Sequence, residues 1–441
     1  MKKIIVKILQ WEARLLLARY KPHIIGVTGS VGKTSTKDAI AAALSSSLHI
    51  RKNEKSYNSE FGVPLTILDL KSTWGGFVTN IFGWSFNILV GLWRACTYGL
   101  PTSTYFVLEM GADHPGDIAS LVKWARPEIG VVTGLGGEVP VHVEFFPSVE
   151  SLVSEKGRLL EALPATGVAV LNRDDARVWD MRELTRARVV SFGTSADANV
   201  KADGLRVSYD ASGKPKGISF RVDIDGKSIP VRLCGALGKG HMYAALAALA
   251  VANELGVNLL NAVAALEGHK TPPGRLRVLA GINGSTLIDD TYNSSPAAVK
   301  VALEVLHELE IAAPHFAEAS RGKKIAVLGD MMELGEYGEQ EHRKVGGWLP
   351  GVADVLVCVG ERSKWVGEEA QKDGFKKENI YYFADSVSAS DFLKTFVKPN
   401  DVVLLKASQS IRLEKATEML LPEPSRASEL LVRQDKEWKK K

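Results

Sequence analysis

The chain has 441 residues, of which 45% are hydrophobic and 24% are charged, and its formal net charge is +4. A chain of this length is too long for one compact core, so two or three domains are expected. The charge is nearly balanced and no basic stripe is present, which gives no reason to expect nucleic-acid binding. Three separated cysteines, with no C-x-x-C pair, argue against structural zinc and a disulfide framework and favour a cytoplasmic protein: Cys96, Cys234 and Cys358.

The first predicted element is an amphipathic helix over residues 1–22. Apolar residues recur there at helical spacing, namely Ile4, Ile8, Trp11 and Leu15. Pro22 stops the pattern, because proline cannot continue a helix. Packing against the protein body and attachment to a membrane surface are the two interpretations of this helix.

The segment from Ile24 to Thr36 runs from an apolar strand through a glycine-rich turn into a helix that starts with Gly-Lys-Thr. Such a turn directs backbone N–H groups at phosphate oxygens, and the helix dipole adds partial positive charge. We expect Lys33 to reach the β- and γ-phosphates and Thr34 to ligate Mg²⁺. The predicted phosphate-binding residues are Gly29, Ser30, Val31, Gly32, Lys33, Thr34 and Ser35. Val27 replaces the first glycine of the usual P-loop formula, and a tight turn in a nucleotide-free domain is the alternative.

A stretch without charge extends from Ser72 to Trp93 and is long enough to cross a bilayer. Its glycines lower helix propensity, and Asn80 and Asn87 would need partners in lipid, so a surface or lid helix is expected instead. Contact of this 73–100 insertion with the cytoplasmic leaflet is a hypothesis based on Trp84, Trp93 and Arg94.

Beyond this insertion, strands and helices alternate as in a parallel-sheet α/β domain. Short polar–apolar alternations from 189 to 233 predict an antiparallel appendage. Pro272-Pro273-Gly274 is the predicted hinge, because two prolines and a glycine interrupt the pattern around them. Later strands are expected at 285–288, 324–328, 355–359 and 402–405.

The expected fold class is therefore α/β, with a P-loop parallel-sheet ATPase domain that carries an antiparallel appendage and a smaller Rossmann-like α/β domain after it. The predicted boundaries are 1–22 for the helix, 23–274 for the central domain, 275–425 for the C-terminal domain and 426–441 for a charged, solvated tail.

Three polar residues of the central domain are candidates for chemistry. Glu109 follows an apolar strand and so lies at the carboxyl edge of the sheet, where an oxygen ligand suits Mg²⁺. His142 lies in the loop after the next strand, and Lys156 lies in a predicted helix. Each also has an interpretation without a function: Glu109 as a solvent-facing residue at a strand end, His142 as an ordinary loop histidine and Lys156 as a solvated helix lysine.

Several blocks occur in the order seen in Mur ligases, and the chain resembles that family from Ile24 to about Leu421. The most type-specific blocks are Asp289-Asp290-Thr291-Tyr292-Asn293-Ser294-Ser295-Pro296 and Leu328-Gly329-Asp330-Met331-Met332-Glu333-Leu334-Gly335. The resemblance is to the MurF type, which joins D-alanyl-D-alanine to UDP-N-acetylmuramoyl-tripeptide with ATP, through an acyl phosphate, in peptidoglycan precursor synthesis. A monomer with these substrates is expected.

The resemblance also implies roles for individual residues. Lys33, His142 and Lys156 would be catalytic. Mg²⁺ would be held by Thr34, Glu109, His142 and Lys156, the last as a lysine carbamylated by CO₂. Nucleotide contacts from the hinge and the C-terminal domain would come from Arg275, Asp290 and Asn293.

The sequence also departs from the family pattern. Only about two dozen residues precede the P-loop, so a UDP-binding domain is expected to be absent. Asparagines are missing after His241, Ser59 replaces an asparagine, and Lys406-Ala407-Ser408-Gln409-Ser410 replaces Lys-Gly-Ser-Arg. A related ligase with another carboxylate acceptor and a non-catalytic nucleotide-binding scaffold therefore remain alternatives.

Overall fold

The computed structural model describes residues 2–53, 58–72, 77–97, 99–101, 104–137, 143–310, 322–435 and 438, with 2–3 and 77–81 as backbone only. These residues form two α/β domains, each built around its own sheet, with the predicted hinge between them. His142 lies outside the described residues.

The first domain is built around a sheet of nine strands in the order β2-β3-β1-β4-β5-β6-β7-β8-β9. Its strands are β1 (His23–Thr28), β2 (His49–Lys52), β3 (Thr104–Glu109), β4 (Ile129–Val132), β5 (Val168–Asn172), β6 (Arg188–Gly193), β7 (Val200–Tyr209), β8 (Pro215–Ile224) and β9 (Lys227–Cys234). Its helices are α1 (Lys2–Tyr20), α2 (Lys33–Ser45), α3 (Gly62–Ile67), α4 (Phe77–Thr97), α5 (Asp117–Ala125), α6 (Val149–Glu161), α7 (Ala176–Asp180), α8 (Lys239–Glu254) and α9 (Leu259–Glu267).

The pairing in this sheet confirms the predicted parallel domain with an antiparallel appendage. In the sheet order β2-β3-β1-β4-β5-β6-β7, every pair of neighbouring strands is parallel. Strands β8 and β9 then extend the sheet in antiparallel fashion. The short strand β2 was not predicted, because it contains three basic or polar residues in four and pairs at an edge.

The second domain has six strands in the order β10-β11-β15-β12-β13-β14. The strands are β10 (Arg277–Ala280), β11 (Thr286–Asp290), β12 (Lys324–Gly329), β13 (Val355–Val359), β14 (Ile380–Phe383) and β15 (Val402–Lys406), and the helices are α10 (Pro296–Glu308), α11 (Gly338–Gly347), α12 (Lys364–Lys372), α13 (Ser386–Phe396), α14 (Glu414–Met419) and α15 (Ala427–Leu430). Apart from the antiparallel edge strand β10, the sheet is parallel. This pattern confirms the predicted Rossmann-like domain.

The central strands are continuous apolar runs because helices cover both faces of a parallel sheet. All four residues of β4 and all five of β13 are buried. The alanine-rich helix α8 is buried along most of its length and packs closely on α2, since small side chains permit a short distance between helix axes. This packing fixes the start of α2 against the sheet.

Helices α1 and α4 pack against each other on the surface of the first domain. The helix predicted from the uncharged stretch is present, but Trp84 and Arg94 point inward: Trp84 is 2% exposed, and Arg94 donates to the Leu68 carbonyl at 2.8 Å. Trp93 is 58% exposed. No described helix is both long enough and apolar enough to span a bilayer.

The carboxyl of Glu12 is buried between α1 and α4. A Cβ on Gly91 would overlap Glu12 Oε2, so the glycine provides the space for this side chain. Glu12 Oε2 has no hydrogen-bond partner among the described residues. Burial raises the pKa of Glu12 to about 7, because the charged form loses its hydration.

We expect the Glu12 carboxyl to make the stability of the first domain depend on pH. The folded-state pKa is raised from 4.5 to about 7. The stability that the protonated carboxyl contributes is therefore fully present below the unfolded-state pKa and is lost as pH rises through the folded-state pKa. Relative to Glu12→Gln, the unmodified protein should lose about 2 to 3 kcal/mol of unfolding free energy between pH 5 and pH 8, as measured by urea denaturation. The exposed Glu423→Gln variant is the control, and equal pH profiles for Glu12→Gln and the unmodified protein would contradict the assignment.

Candidate functional site

A cleft of about 890 Å³ lies between the two domains. The carboxyl ends of parallel strands open onto it from both sheets, as is usual for ligand sites of α/β folds. The first domain contributes Ser30, Gly32, Lys33, Thr34, Asn58, Glu109, Asp113 and Glu144. The hinge and second domain contribute Arg275, Tyr292, Asn293, Met332, Glu333, Arg362, Ser408, Gln409, Ser410 and Trp438.

The phosphate loop follows β1 and requires glycine at two positions. Gly29 has φ +145°, and a Cβ there would overlap Thr133 Oγ1. Gly32 has φ +81° and precedes the first residue of α2 in the left-handed conformation. Since these torsions are accessible chiefly to glycine, the sequence dictates the local path that delivers Lys33 and Thr34 to the helix start.

The side chains of this loop are arranged for an anion. Lys33 Nζ donates to the Gly29 carbonyl at 2.8 Å and the Ser30 carbonyl at 3.4 Å. Ser30 Oγ is shielded from solvent and has no hydrogen-bond partner among the described residues. Burial lowers the pKa of Lys33, which the nearby carboxylate of Glu109 opposes. A phosphate oxygen would satisfy both Ser30 and Lys33, as a helix N-terminus also favours.

Oxygen donors suited to Mg²⁺ meet beside the loop. Thr34 Oγ1 donates to Glu109 Oε2 at 3.0 Å, and Asn58 Nδ2 donates to Glu109 Oε1 at 3.3 Å. Glu109 is 2% exposed. Within the described ranges, no three His, Cys, Asp or Glu side chains converge as a metal site. One carboxylate and one hydroxyl nevertheless fit Mg²⁺, which usually completes its shell with water and substrate phosphates.

Lys156 projects from α6 and is only 2% exposed. Burial, followed by the positive charge of Lys33, lowers its pKa to about 7, and the charges of Asp113 and Glu155 oppose this shift. At neutral pH a large fraction of this amine is therefore unprotonated and nucleophilic.

The hinge is held by two adjacent carboxylates at the end of β11. Gly274 N donates to Asp289 Oδ2 at 2.8 Å, and Leu276 N donates to Asp290 Oδ1 at 3.2 Å. Lys406 Nζ donates to Asp290 Oδ2 at 2.6 Å. Burial raises the pKa of Asp289 to about 6. Both oxygens of Asp290 are thus engaged by the protein, and Asp290 orients the hinge from outside the cleft lining.

Arg275 connects the hinge to the phosphate loop. Its guanidinium donates to Thr34 Oγ1 at 3.4 Å and lies 3.9 Å from the centroid of the Tyr292 ring. Its backbone carbonyl is 2.7 Å from His241 Nε2. Arg275 therefore links the start of α2, just after the phosphate loop, to the Asp-Asp-Thr-Tyr-Asn segment across the domain boundary.

The C-terminal segment packs beside the same site. Arg433 donates to the carbonyls of Thr291 and Tyr292 and pairs with Glu414 at 3.1 Å. Trp438 lines the cleft, and Arg433 lies over its ring at 5.6 Å. The sequence predicted a solvated tail at 426–441 and gave no local pattern that would place these side chains at a site.

The structure brings most predicted site residues together. Ser30, Gly32, Lys33, Thr34, Glu109, Arg275 and Asn293 line the cleft, and Gly29 and Val31 complete the loop. Ser35 lines a separate small cavity beside His241. Asp113, which lines the cleft and interacts with both lysines, was missed. Its position four residues after Glu109, in the loop that follows β3, is the pattern that could have identified it.

Two family models match the chain. The Mur ligase middle domain matches residues 27–79 and 86–252, and the Mur ligase glutamate ligase domain matches residues 274–409. The first match begins after α1 and is interrupted within α4.

Named relatives agree with these matches. The UDP-N-acetylmuramoyl-tripeptide–D-alanyl-D-alanine ligase of Mycobacterium tuberculosis is 34% identical over 90% of this chain and 72% of its own length. The ligase of that name from Bacillus subtilis is 27% identical over 94% of this chain and 79% of its own length. The crystal structure of MurF ligase from Thermotoga maritima in complex with ADP has a TM-score of 0.72 and 27% identity, covering 96% of this chain and 84% of that one.

The two domains thus match those of Mur ligases in sequence, in fold and in their order along the chain. In the structure, β1 leads into the phosphate loop, β3 ends at Glu109 and β11 ends at Asp290. The chain belongs to the Mur ligase family.

Proposed function

We propose that this chain is an ATP-dependent, ADP-forming ligase that joins D-alanyl-D-alanine to UDP-N-acetylmuramoyl-tripeptide in peptidoglycan precursor synthesis. The observation that carries the proposal is one cleft that contains the phosphate loop, the Thr34–Glu109 pair and, facing them, side chains of the second domain. The relatives bearing this activity in their names cover at least nine tenths of the chain.

The first step activates the acyl donor. An oxygen of the tripeptide's terminal carboxylate attacks the γ-phosphorus of ATP, the bond to the β-phosphate oxygen breaks, and an acyl phosphate and ADP form. Lys33 and Arg275 would balance negative charge on the transferred phosphoryl group, since both cations line this cleft. Mg²⁺, held by Thr34 and Glu109, would further neutralise the phosphates when bound.

The second step forms the amide. The neutral amine of the dipeptide attacks the acyl carbon, a tetrahedral intermediate collapses, inorganic phosphate leaves and the nitrogen loses a proton. The hinge aspartates would orient the second domain so that Ser408, Gln409 and Ser410 face the phosphate loop. Closure would align the amine and exclude water from the acyl phosphate.

We also propose that Lys156 carries the carbamate implied by the resemblance. Its neutral amine attacks CO₂, a C–N bond forms, and one proton is released, which leaves an anion. An ammonium beside bound Mg²⁺ would be repelled, whereas a carbamate would be attracted. The lowered pKa of Lys156 supports this reaction, because only the unprotonated amine is nucleophilic. His142 as a second magnesium ligand also remains a proposal.

A cytoplasmic monomer is part of the same proposal. One chain supplies the cleft lining from both of its domains, and all three cysteines are free thiols. The exposed side of α4 supports the predicted peripheral contact of residues 73–100 with a membrane surface.

The substrate assignment predicts that ADP release requires both partners. A coupled ADP assay with UDP-N-acetylmuramoyl-tripeptide and D-alanyl-D-alanine should show turnover, whereas omission of either should reduce it to background. Turnover with another carboxylate acceptor but not with the tripeptide would favour the related-ligase alternative. Nucleotide binding without turnover on any acceptor would favour a scaffold.

Replacement of the phosphate-loop lysine should nearly abolish ligation. Lys33→Ala removes a positive charge that would contact the transferred phosphoryl group, and loss of one such group typically lowers kcat by about 100-fold or more. The measurement is ADP release at saturating substrates. The exposed Lys372→Ala variant should keep full activity, and a decrease of less than about threefold for Lys33→Ala would contradict the assigned role.

The carbamate predicts a CO₂-derived label on Lys156. Incubation with ¹³CO₂ and chemical trapping should give a labelled Lys156 peptide by mass spectrometry, with exposed Lys123 as the unlabelled internal control. At fixed dissolved CO₂, labelling should decrease as pH falls below the lowered pKa of about 7, because protonation removes the nucleophile. Full ligase activity in Lys156→Ala would refute the carbamate role.

A further inference from the structure

Large exposed hydrophobic side chains are concentrated on two helices. Eight such side chains among the described residues are more than half exposed, and six of them lie on α1 and α4: Ile4, Trp11, Phe82, Phe86, Leu89 and Trp93. Helices α1 and α4 pack against each other, and the exposed surface that carries these six side chains is called here the α1–α4 face. Such a concentration on a surface indicates an interaction site.

The spacing on α4 gives this helix two distinct sides. Phe82, Phe86, Leu89 and Trp93 recur every three or four residues and so follow one side of the helix. The opposite side is buried and includes Trp84 and Asn87, whose amide donates to the Lys71 carbonyl at 2.9 Å. The exposed aromatic side is therefore not needed for packing onto the domain.

Basic residues predominate in the segments that form this face, and the exposed acids beside it are Glu60, next to Gln10, and Asp69, which pairs with Arg94. Residues 70–108 contain no Asp or Glu, and the acid of residues 1–22, Glu12, is 1% exposed. Basic residues of the same segment are Lys2, Lys3, Lys7, Arg14, Arg19 and Lys21. On α1 the exposed positions alternate between apolar and basic, in the order Ile4, Lys7, Trp11 and Arg14.

This chemistry selects among possible occupants of the face. In a two-fold symmetric dimer, the same surface of each copy faces the other. A second copy of the chain would therefore place its positively charged α1 against this one, and the two would repel each other. An anionic lipid surface supplies both complements: phosphates for the basic residues and an acyl boundary for the aromatic side chains.

We propose that α1 and α4 together dock the enzyme on the anionic surface of a membrane, with Phe82, Phe86, Leu89 and Trp93 inserted at the headgroup boundary and Lys7 and Arg14 on lipid phosphates. This inference extends the membrane contact proposed for residues 73–100 by assigning the headgroup charge and the second helix. It does not depend on the ligase reaction.

Vesicle flotation tests the proposal with the full chain. The protein should float with phosphatidylcholine vesicles that contain phosphatidylglycerol, and the floated fraction should fall as salt is raised. Phe86→Ser/Trp93→Ser should lower the vesicle association constant about tenfold or more by removing buried apolar area, and Lys7→Glu/Arg14→Glu should do so by removing attraction to phosphates. Pure phosphatidylcholine vesicles should bind about tenfold less protein than the anionic ones.

Matched controls carry the same changes elsewhere. Leu205→Ser/Leu260→Ser replaces exposed apolar side chains, and Lys216→Glu/Lys227→Glu reverses two exposed charges on the antiparallel appendage. These controls should float like the unmodified protein, and all variants should keep its urea-denaturation midpoint, which shows that they are folded whether or not they turn over ATP.

Three results would overturn the inference: equal flotation with neutral and anionic vesicles, equal loss in the control variants, or dimerisation in light scattering that Phe86→Ser/Trp93→Ser abolishes. Because turnover is measured separately, failure of docking is distinguishable from failure of the ligase assignment.

Discussion

The hydrogen bonds that converge on the Glu109 carboxylate connect the elements on which the site depends. Strands β1 and β3 are adjacent and parallel, and their register places Val27 opposite Glu109. Thr34 and Asn58 then donate to the two oxygens of Glu109, while Asn53 Oδ1 accepts from its backbone N–H at 2.7 Å. A buried carboxylate is stable only with such partners, so the start of α2 and two loops are held at one sheet edge.

Burial and nearby charges also act on two lysines, Lys33 in the cleft lining and Lys156 on α6. Lys33 and Lys156 repel each other in a region of low dielectric, and both have lowered pKa values for which burial is the main cause. The carboxylates of Glu109 and Asp113 oppose the lowering of the Lys33 pKa. Burial and the charge of Lys33 lower the pKa of Lys156 to about 7, and its amine is therefore suited to react as a neutral nucleophile.

Much of the fold could be predicted because its elements have strong local patterns. The strands predicted at 324–328, 355–359 and 402–405 begin at the first residues of β12, β13 and β15, and the one predicted at 285–288 begins one residue before β11. Weak patterns were missed, as for β2, which is polar and pairs at an edge. The hypothesis of membrane contact included Trp84, which is buried, because helical spacing identifies a stripe and does not say which stripe faces the protein.

The sequence by itself determined the chemistry that is local in the chain. Glycine torsions, the Lys33–Thr34 pair at a helix start and a carboxylate at the end of a strand all follow from neighbouring residues. Only the tertiary structure decided which distant groups meet: Asp290 with Lys406, Arg275 with Thr34, and Arg433 with the carbonyls of the Tyr292 segment. The reason is that pKa values, ion pairs and cleft shape arise from burial and proximity across domains, which have no counterpart in local sequence spacing.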